Sequence, residues 1–149
     1  MSVGQFCNRE VIVARRNDPV PDLARLMREY HVGDLVVVES IDAPVPVGIV
    51  TDRDLVVTVL AEEVDPASLT AGDIMTSALL IARESDSLWD VLKRMRARGV
   101  RRVPVVDDRH GRLVGIITVD DVLEVLAEEL SALAHVSGRG RAHEQAARP

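Results

Sequence analysis

Two stretches of the chain carry the residue types best suited to chemistry: Gly48-Ile49-Val50-Thr51-Asp52-Arg53-Asp54 and Gly115-Ile116-Ile117-Thr118-Val119-Asp120-Asp121. Each reads as a buried strand, then a threonine, then an aspartate three residues later at the start of a helix. One use of such a pair is purely structural. A threonine at the N-cap and an acid at the third helical position make a capping box, worth about 1 kcal/mol. The other use is recognition. A hydroxyl and a carboxylate at a strand–helix junction suit the vicinal hydroxyls of a ribose, and helix N-terminal amides nearby favour an anionic phosphate. In both stretches a glycine precedes the threonine by three residues, where a missing side chain lets a ligand or a backbone approach closely.

The motif occurs twice because the chain repeats. Gly4 matches Gly72, Ala14 matches Ala82, Asp18 matches Asp86, Met27 matches Met95, and Val37-Val38 matches Val105-Val106. After the loss of one loop residue, Val47-Gly48-Ile49 matches Val114-Gly115-Ile116, Thr51 matches Thr118 and Asp54 matches Asp121. Each copy opens with a short apolar strand, Val11–Val13 or Leu79–Ala82. Asp18 before Pro19 signals a helix start in the first copy. The helix that follows has an apolar stripe: Val20, Leu23, Ala24 and Met27 in one copy, Leu88, Val91, Leu92 and Met95 in the other. Two strands come next, Leu35–Glu39 with Val47–Val50 and Val103–Asp107 with Leu113–Ile117. Their continuous apolar runs suit strands covered on both faces. A second helix starts at Thr51 or Thr118. The expected fold is therefore α/β (α+β): two β-α-β-β-α repeats, each about 60 residues and marginal alone, packed face to face with pseudo-twofold symmetry. Residues 1–64 form the first repeat, 65–71 a connector and 72–133 the second. Residues 134–149, rich in Gly, Arg and Ala, read as a disordered tail.

This arrangement resembles a pair of cystathionine β-synthase (CBS) domains. The likeness rests on the two Gly-h-h-Thr-x-x-Asp segments, on Asp73-Ile74-Met75 opening the second copy, and on Arg101-Arg102-Val103-Pro104-Val105-Val106. It covers about residues 4–131. The resemblance implies clefts between the repeats that take adenosine-containing ligands: AMP, ADP, ATP, S-adenosylmethionine or a dinucleotide such as NAD. It also implies a homodimer formed through the helices and a regulated partner protein. Carried over residue by residue, Thr51, Asp54, Thr118 and Asp121 hold ribose. Val13, Ala14, Ile81 and Ala82 lie against adenine. Arg53, Arg101 and Arg102 are the candidates for phosphate. The copies differ here, since Asp120 replaces Arg53 and Gly33-Asp34 replaces Arg101-Arg102, so unequal clefts are expected. No cofactor is required, although Mg2+ could arrive with ATP.

Composition excludes several other functions. Among 149 residues, 47% are hydrophobic but only 2% aromatic, so the core is aliphatic and no ring platform exists for stacking bases of single strands. The formal net charge of −6 speaks against a nucleic-acid binder. The tail residues Arg139, Arg141 and Arg148 read as solvated. No signal peptide or membrane span is expected, which makes the cytoplasm the default location. One cysteine, Cys7, excludes an internal disulfide and reads as a packed apolar residue. His31, His110, His135 and His143 lack ligand spacing and read as surface, and no metal site is expected. Trp89 suits either the core or a dimer contact. No Ser–His–Asp or Cys–His set comes together, so the chain does not read as an enzyme. The competing reading is a ligand-free homodimeric scaffold in which the Thr/Asp pairs only cap helices.

Overall fold

The β-branched runs form two three-stranded sheets of the same topology. The computed structural model describes residues 1–148. In the first sheet, β1 (Val13–Arg15) runs parallel to β2 (Asp34–Val38), which pairs antiparallel with β3 (Pro46–Thr51). In the second, β4 (Ala82–Arg83) runs parallel to β5 (Arg102–Val106), which pairs antiparallel with β6 (Leu113–Thr118). Even the irregularities repeat: the register shifts between Val37 and Val38 in one sheet and between Val105 and Val106 in the other. The opening strands begin later than their apolar runs suggest, although the Ile12 carbonyl already accepts the Val36 N–H.

Each central strand is covered on both faces, as its uninterrupted apolar run requires. Leu35 and Val37 face a cluster built on α1 (Val20–Tyr30). Val36 and Val38 face the other repeat, in a cluster that includes Ile49, Ile116 and Leu79. Val103 and Val105 pack against α4 (Leu88–Arg98). The helices bury Val20, Leu23 and Met27, and Leu88, Val91 and Met95. Ala24 is exposed instead. The start of α1 also differs from expectation. Pro19 takes the N-cap position, while the Asp18 carboxylate accepts the Arg15 backbone N–H at 2.8 Å and so closes the preceding turn. At the far end His31 adopts a left-handed conformation, φ 54°, where the second copy has Gly99 at φ 64°.

The repeats exchange their leading segments. Val3 and Cys7 complete the core of the second repeat, whereas Ala71, on α3 (Ala71–Ile74), and Ile74 complete that of the first. Backbone bonds fix the exchange: Asn8 pairs with Ile116 and Thr76 with Ile49. The repeat boundaries drawn at residues 64 and 72 therefore do not coincide with the boundaries of the two cores. Burial pushes the Cys7 thiol above its usual range, and neighbouring Arg9 offsets this only in part. It is a packed side chain whose burial disfavours the thiolate.

The second helices diverge. After Thr51 a single turn, α2 (Asp52–Asp54), widens into a π-helical stretch over Leu55–Leu60, with Ala61 N–H donating to Val56 C=O. After Thr118, α5 runs from Val119 to Ala147. Residues 134–147, expected as a disordered tail, are thus helical; Pro149 lies outside the described residues. A helix already nucleated at Val119 propagates at little cost per residue, and Ala132, Ala134, Ala142 and Ala146 favour it. No helix among the described residues is long and apolar enough to cross a membrane.

Candidate functional site

Both Thr/Asp pairs close capping boxes at the ends of β3 and β6. Thr51 N–H donates to Asp54 Oδ2 at 2.8 Å, and Asp54 N–H donates back to Thr51 Oγ1 at 3.2 Å. In the second copy Thr118 N–H donates to Asp121 Oδ2 at 2.8 Å, Asp121 N–H donates to Thr118 Oγ1 at 3.2 Å, and the Thr118 hydroxyl donates to the same carboxylate oxygen at 2.7 Å. A third Thr/Asp pair, Thr70 with Asp73, caps the start of α3: the Thr70 N–H and hydroxyl donate to Asp73 Oδ2, while the Asp73 N–H donates to the Thr70 carbonyl. The first two boxes differ from it in their surroundings: each follows the last strand of its sheet, β3 or β6.

The glycines answer to the crossing segments. A Cβ on Gly48 would collide with the Met75 side chain, and one on Gly115 would stand 2.6 Å from Cys7 Sγ and 2.9 Å from the Asn8 carbonyl. The close approach foreseen at these glycines is therefore of the chain to itself.

The crossing builds a cleft. Thr51 and Ile49 from the first repeat face Thr76, Ala78, Leu79 and Leu80 from the segment crossing over them, and Arg101 and Arg102 close the side. The cleft holds about 520 Å³ continuous with solvent. Its elements come from both repeats: a hydroxyl from one, an aliphatic wall and two cations from the other. Arg53 is exposed on α2 and is not part of this lining. The wall also lies earlier in the chain than the residues selected for adenine. Ala14 and Ala82 are 2% and 0% exposed, turned into the two helix-side cores. Val13 packs at the seam, and the Ile81 carbonyl is taken by Arg94. Strand pairing sets this: Ala82 lies in register with Val105, whose side chain also faces that core. The missed signal was Thr76-Ser77-Ala78, a polar and small stretch ahead of the apolar run.

The matching positions on the Thr118 side carry opposite charge. Asp34 stands where Arg102 stands in the other repeat, and the two meet across the seam, Arg102 Nε to Asp34 Oδ2 at 2.5 Å. Burial raises the Asp34 carboxyl above its ordinary range; Arg102 opposes this, while Asp52 and Asp121 add to it. Arg101 is held loosely, 3.7 Å from the exposed Asp120. Among the described residues no cluster of three potential metal ligands occurs. Trp89 is 46% exposed on α4, which removes it from the core.

The CBS domain profile matches residues 3–61 and 71–128. An uncharacterised protein of Methanopyrus kandleri is 37% identical over 125 residues, covering 84% of this chain and 62% of that protein. Hypoxic response protein 1 of Mycobacterium tuberculosis is 33% identical over 121 residues, 81% of this chain and 82% of that one. Among solved structures, the CBS domain pair of protein MJ0100, in complex with 5′-methylthioadenosine and S-adenosyl-L-methionine, superposes with a TM-score of 0.74 at 26% identity, covering 87% of this chain and 98% of that chain. Sequence, repeat and topology agree, and the chain belongs to the CBS domain family as a tandem pair.

Proposed function

We propose that the chain is a cytoplasmic regulatory module whose Thr51 cleft takes an adenosine-containing ligand and passes its occupancy to a partner protein. CBS domain modules are regulatory and non-catalytic. One observation carries the ligand reading: the crossing segments bring a hydroxyl, an aliphatic wall and two arginines to one cleft. Thr51 with Asp54 meets the ribose, backbone and aliphatic groups of Ala78–Leu80 meet the adenine, and Arg101 and Arg102 meet a phosphate. A related pair solved with adenosyl ligands supports the class of ligand. The Thr118 side takes the weaker or less phosphorylated ligand, because Gly33-Asp34 stands where the Thr51 cleft has Arg101-Arg102. We place a homodimer contact on the outer helices, where Val56, Leu60, Trp89 and Leu123 are exposed.

A thermal-shift panel with adenosine, AMP, ADP, ATP, S-adenosylmethionine and NAD tests this. A ligand at 100 times its dissociation constant adds about 2.7 kcal/mol of stability. No shift with any of them favours the ligand-free scaffold, a reading that draws on Thr70/Asp73, where a Thr/Asp pair of the same spacing caps a helix outside the repeat motif.

A further inference from the structure

Arg102 and Asp34 occupy matching positions in the repeat. Each is the first residue of a central strand, and each lies in register with a motif threonine, Arg102 with Thr118 and Asp34 with Thr51. The pseudo-twofold relation brings these two positions to the seam, where a symmetric chain would set like beside like. Here they are a cation and an anion, 2.5 Å apart, and among the described residues Asp34 is the only carboxylate within ion-pair distance of Arg102. Arg102 also lines the Thr51 cleft. Its guanidinium therefore has two claimants: the carboxylate at the seam and any anion in the cleft.

We infer that Asp34 is a built-in competitor for Arg102, a latch across the two repeats that sets how much negative charge a ligand must bring to the Thr51 cleft. This rests on the adenosyl-ligand reading above. The Asp34 side chain is only 20% exposed, and that of Arg102 37%. Asp52 and Asp121 add negative potential around Asp34. Withdrawing Arg102 leaves a half-buried carboxylate beside two others, which is costly. A neutral ligand leaves the latch closed. A phosphate must outbid Asp34 with a bidentate, charge-assisted contact. The charge requirement of the cleft is thus set by a residue beside Thr51 on the neighbouring strand that does not itself line the cleft.

Calorimetric titration of adenosine and AMP into the full chain and its Asp34→Asn variant tests the latch, with Asp34→Ser as a second variant should the amide disturb the fold. Freeing Arg102 is expected to tighten AMP by about three- to tenfold while leaving adenosine within about twofold, so the AMP-to-adenosine preference rises. An unchanged or reduced preference in both variants overturns the latch alone. If wild-type protein binds neither compound, the adenosyl reading fails and the latch falls with it.

Discussion

The two repeats share a backbone down to the bulge in each central strand, yet they present different chemistry at matching places. Gly33-Asp34 stands against Arg101-Arg102, Pro21 against Trp89, and a π-helical stretch ending at Leu60 against a helix running to Ala147. What is duplicated is what packing demands: the buried strand faces, the helix stripes and the glycines under the crossing segments. What differs is exposed or lies at the seam. The scaffold was kept symmetric by its cores, and the clefts were left free to become unequal.

The largest expected effect falls on the glycines and grades the two crossings. In Gly115→Ala the new methyl meets Cys7 and the Asn8 carbonyl, whose residue is bonded in both directions to Ile116. Backbone has to move, at a cost of about 3 kcal/mol. In Gly48→Ala the obstacle is the Met75 side chain, whose outer atoms can swing aside while its Cβ, 2.9 Å away, requires a small shift, so about 1–2 kcal/mol is expected. Urea denaturation of both variants measures the difference. Equal losses would mean that the crossings are equally rigid.

Next is the outer surface. Trp89 projects from α4 where the other repeat has Pro21 on the rim of an open apolar groove that also includes Ala24 and Leu60. If the helices carry the dimer, Trp89→Ala removes an aromatic anchor and weakens it by about 2 kcal/mol, roughly thirtyfold in dissociation constant. Sedimentation equilibrium reads this directly. An unchanged association constant would move the contact off the Trp89 surface.

The capping boxes separate stability from binding. Asp54→Ala and Asp121→Ala are expected to cost about 1 kcal/mol each, since both lose a capping box, with Asp121→Ala also losing the Thr118 hydroxyl bond. Their effects on ligand should differ. Asp54→Ala removes AMP binding at the Thr51 cleft, while Asp121→Ala leaves it and affects only the Thr118 side. Calorimetry on both variants distinguishes these; loss of AMP binding in Asp121→Ala would reverse the assignment of the clefts.

These contrasts also mark what the sequence could and could not disclose. The repeat and the two-faced strands were legible because burial on a strand leaves a pattern within a few residues, as in Leu35–Val38. The capping boxes were legible for the same local reason. The exchange of leading segments was not, because Val3 and Cys7 are simply apolar residues and nothing local says which core they join. That exchange moved the cleft wall from Ile81-Ala82 back to Ala78–Leu80. The helix beyond residue 134 was hidden by Gly138 and Gly140, which read as breakers although the helix was already growing from Val119. The pairing of Arg102 with Asp34 required the symmetry operation as well as the alignment. Sequence showed that the two differ; only the fold shows that they meet.

The smallest effect concerns the turns that join the last two strands of each repeat. In the second copy Asp107 accepts backbone N–H groups from Arg109 at 2.8 Å, His110 at 2.5 Å and Arg112 at 3.0 Å. The matching residue Glu39 turns to Arg16 instead, 2.6 Å away. The His110 N–H foremost, with those of Arg112 and Arg109, holds the Asp107 carboxyl below its ordinary value of 3.8. A depressed folded pKa contributes stability that is fully present above the unfolded value and is lost as pH falls through the folded one. Asp107→Asn should therefore melt below wild type at pH 7, and the gap should close as pH drops from about 4 toward 2. Glu39→Gln, which removes the charge of an exposed ion pair, should show little difference in melting temperature at pH 7. A gap for Asp107→Asn that persists unchanged into acid would mean that the carboxylate shapes the turn by its geometry, with its charge contributing nothing.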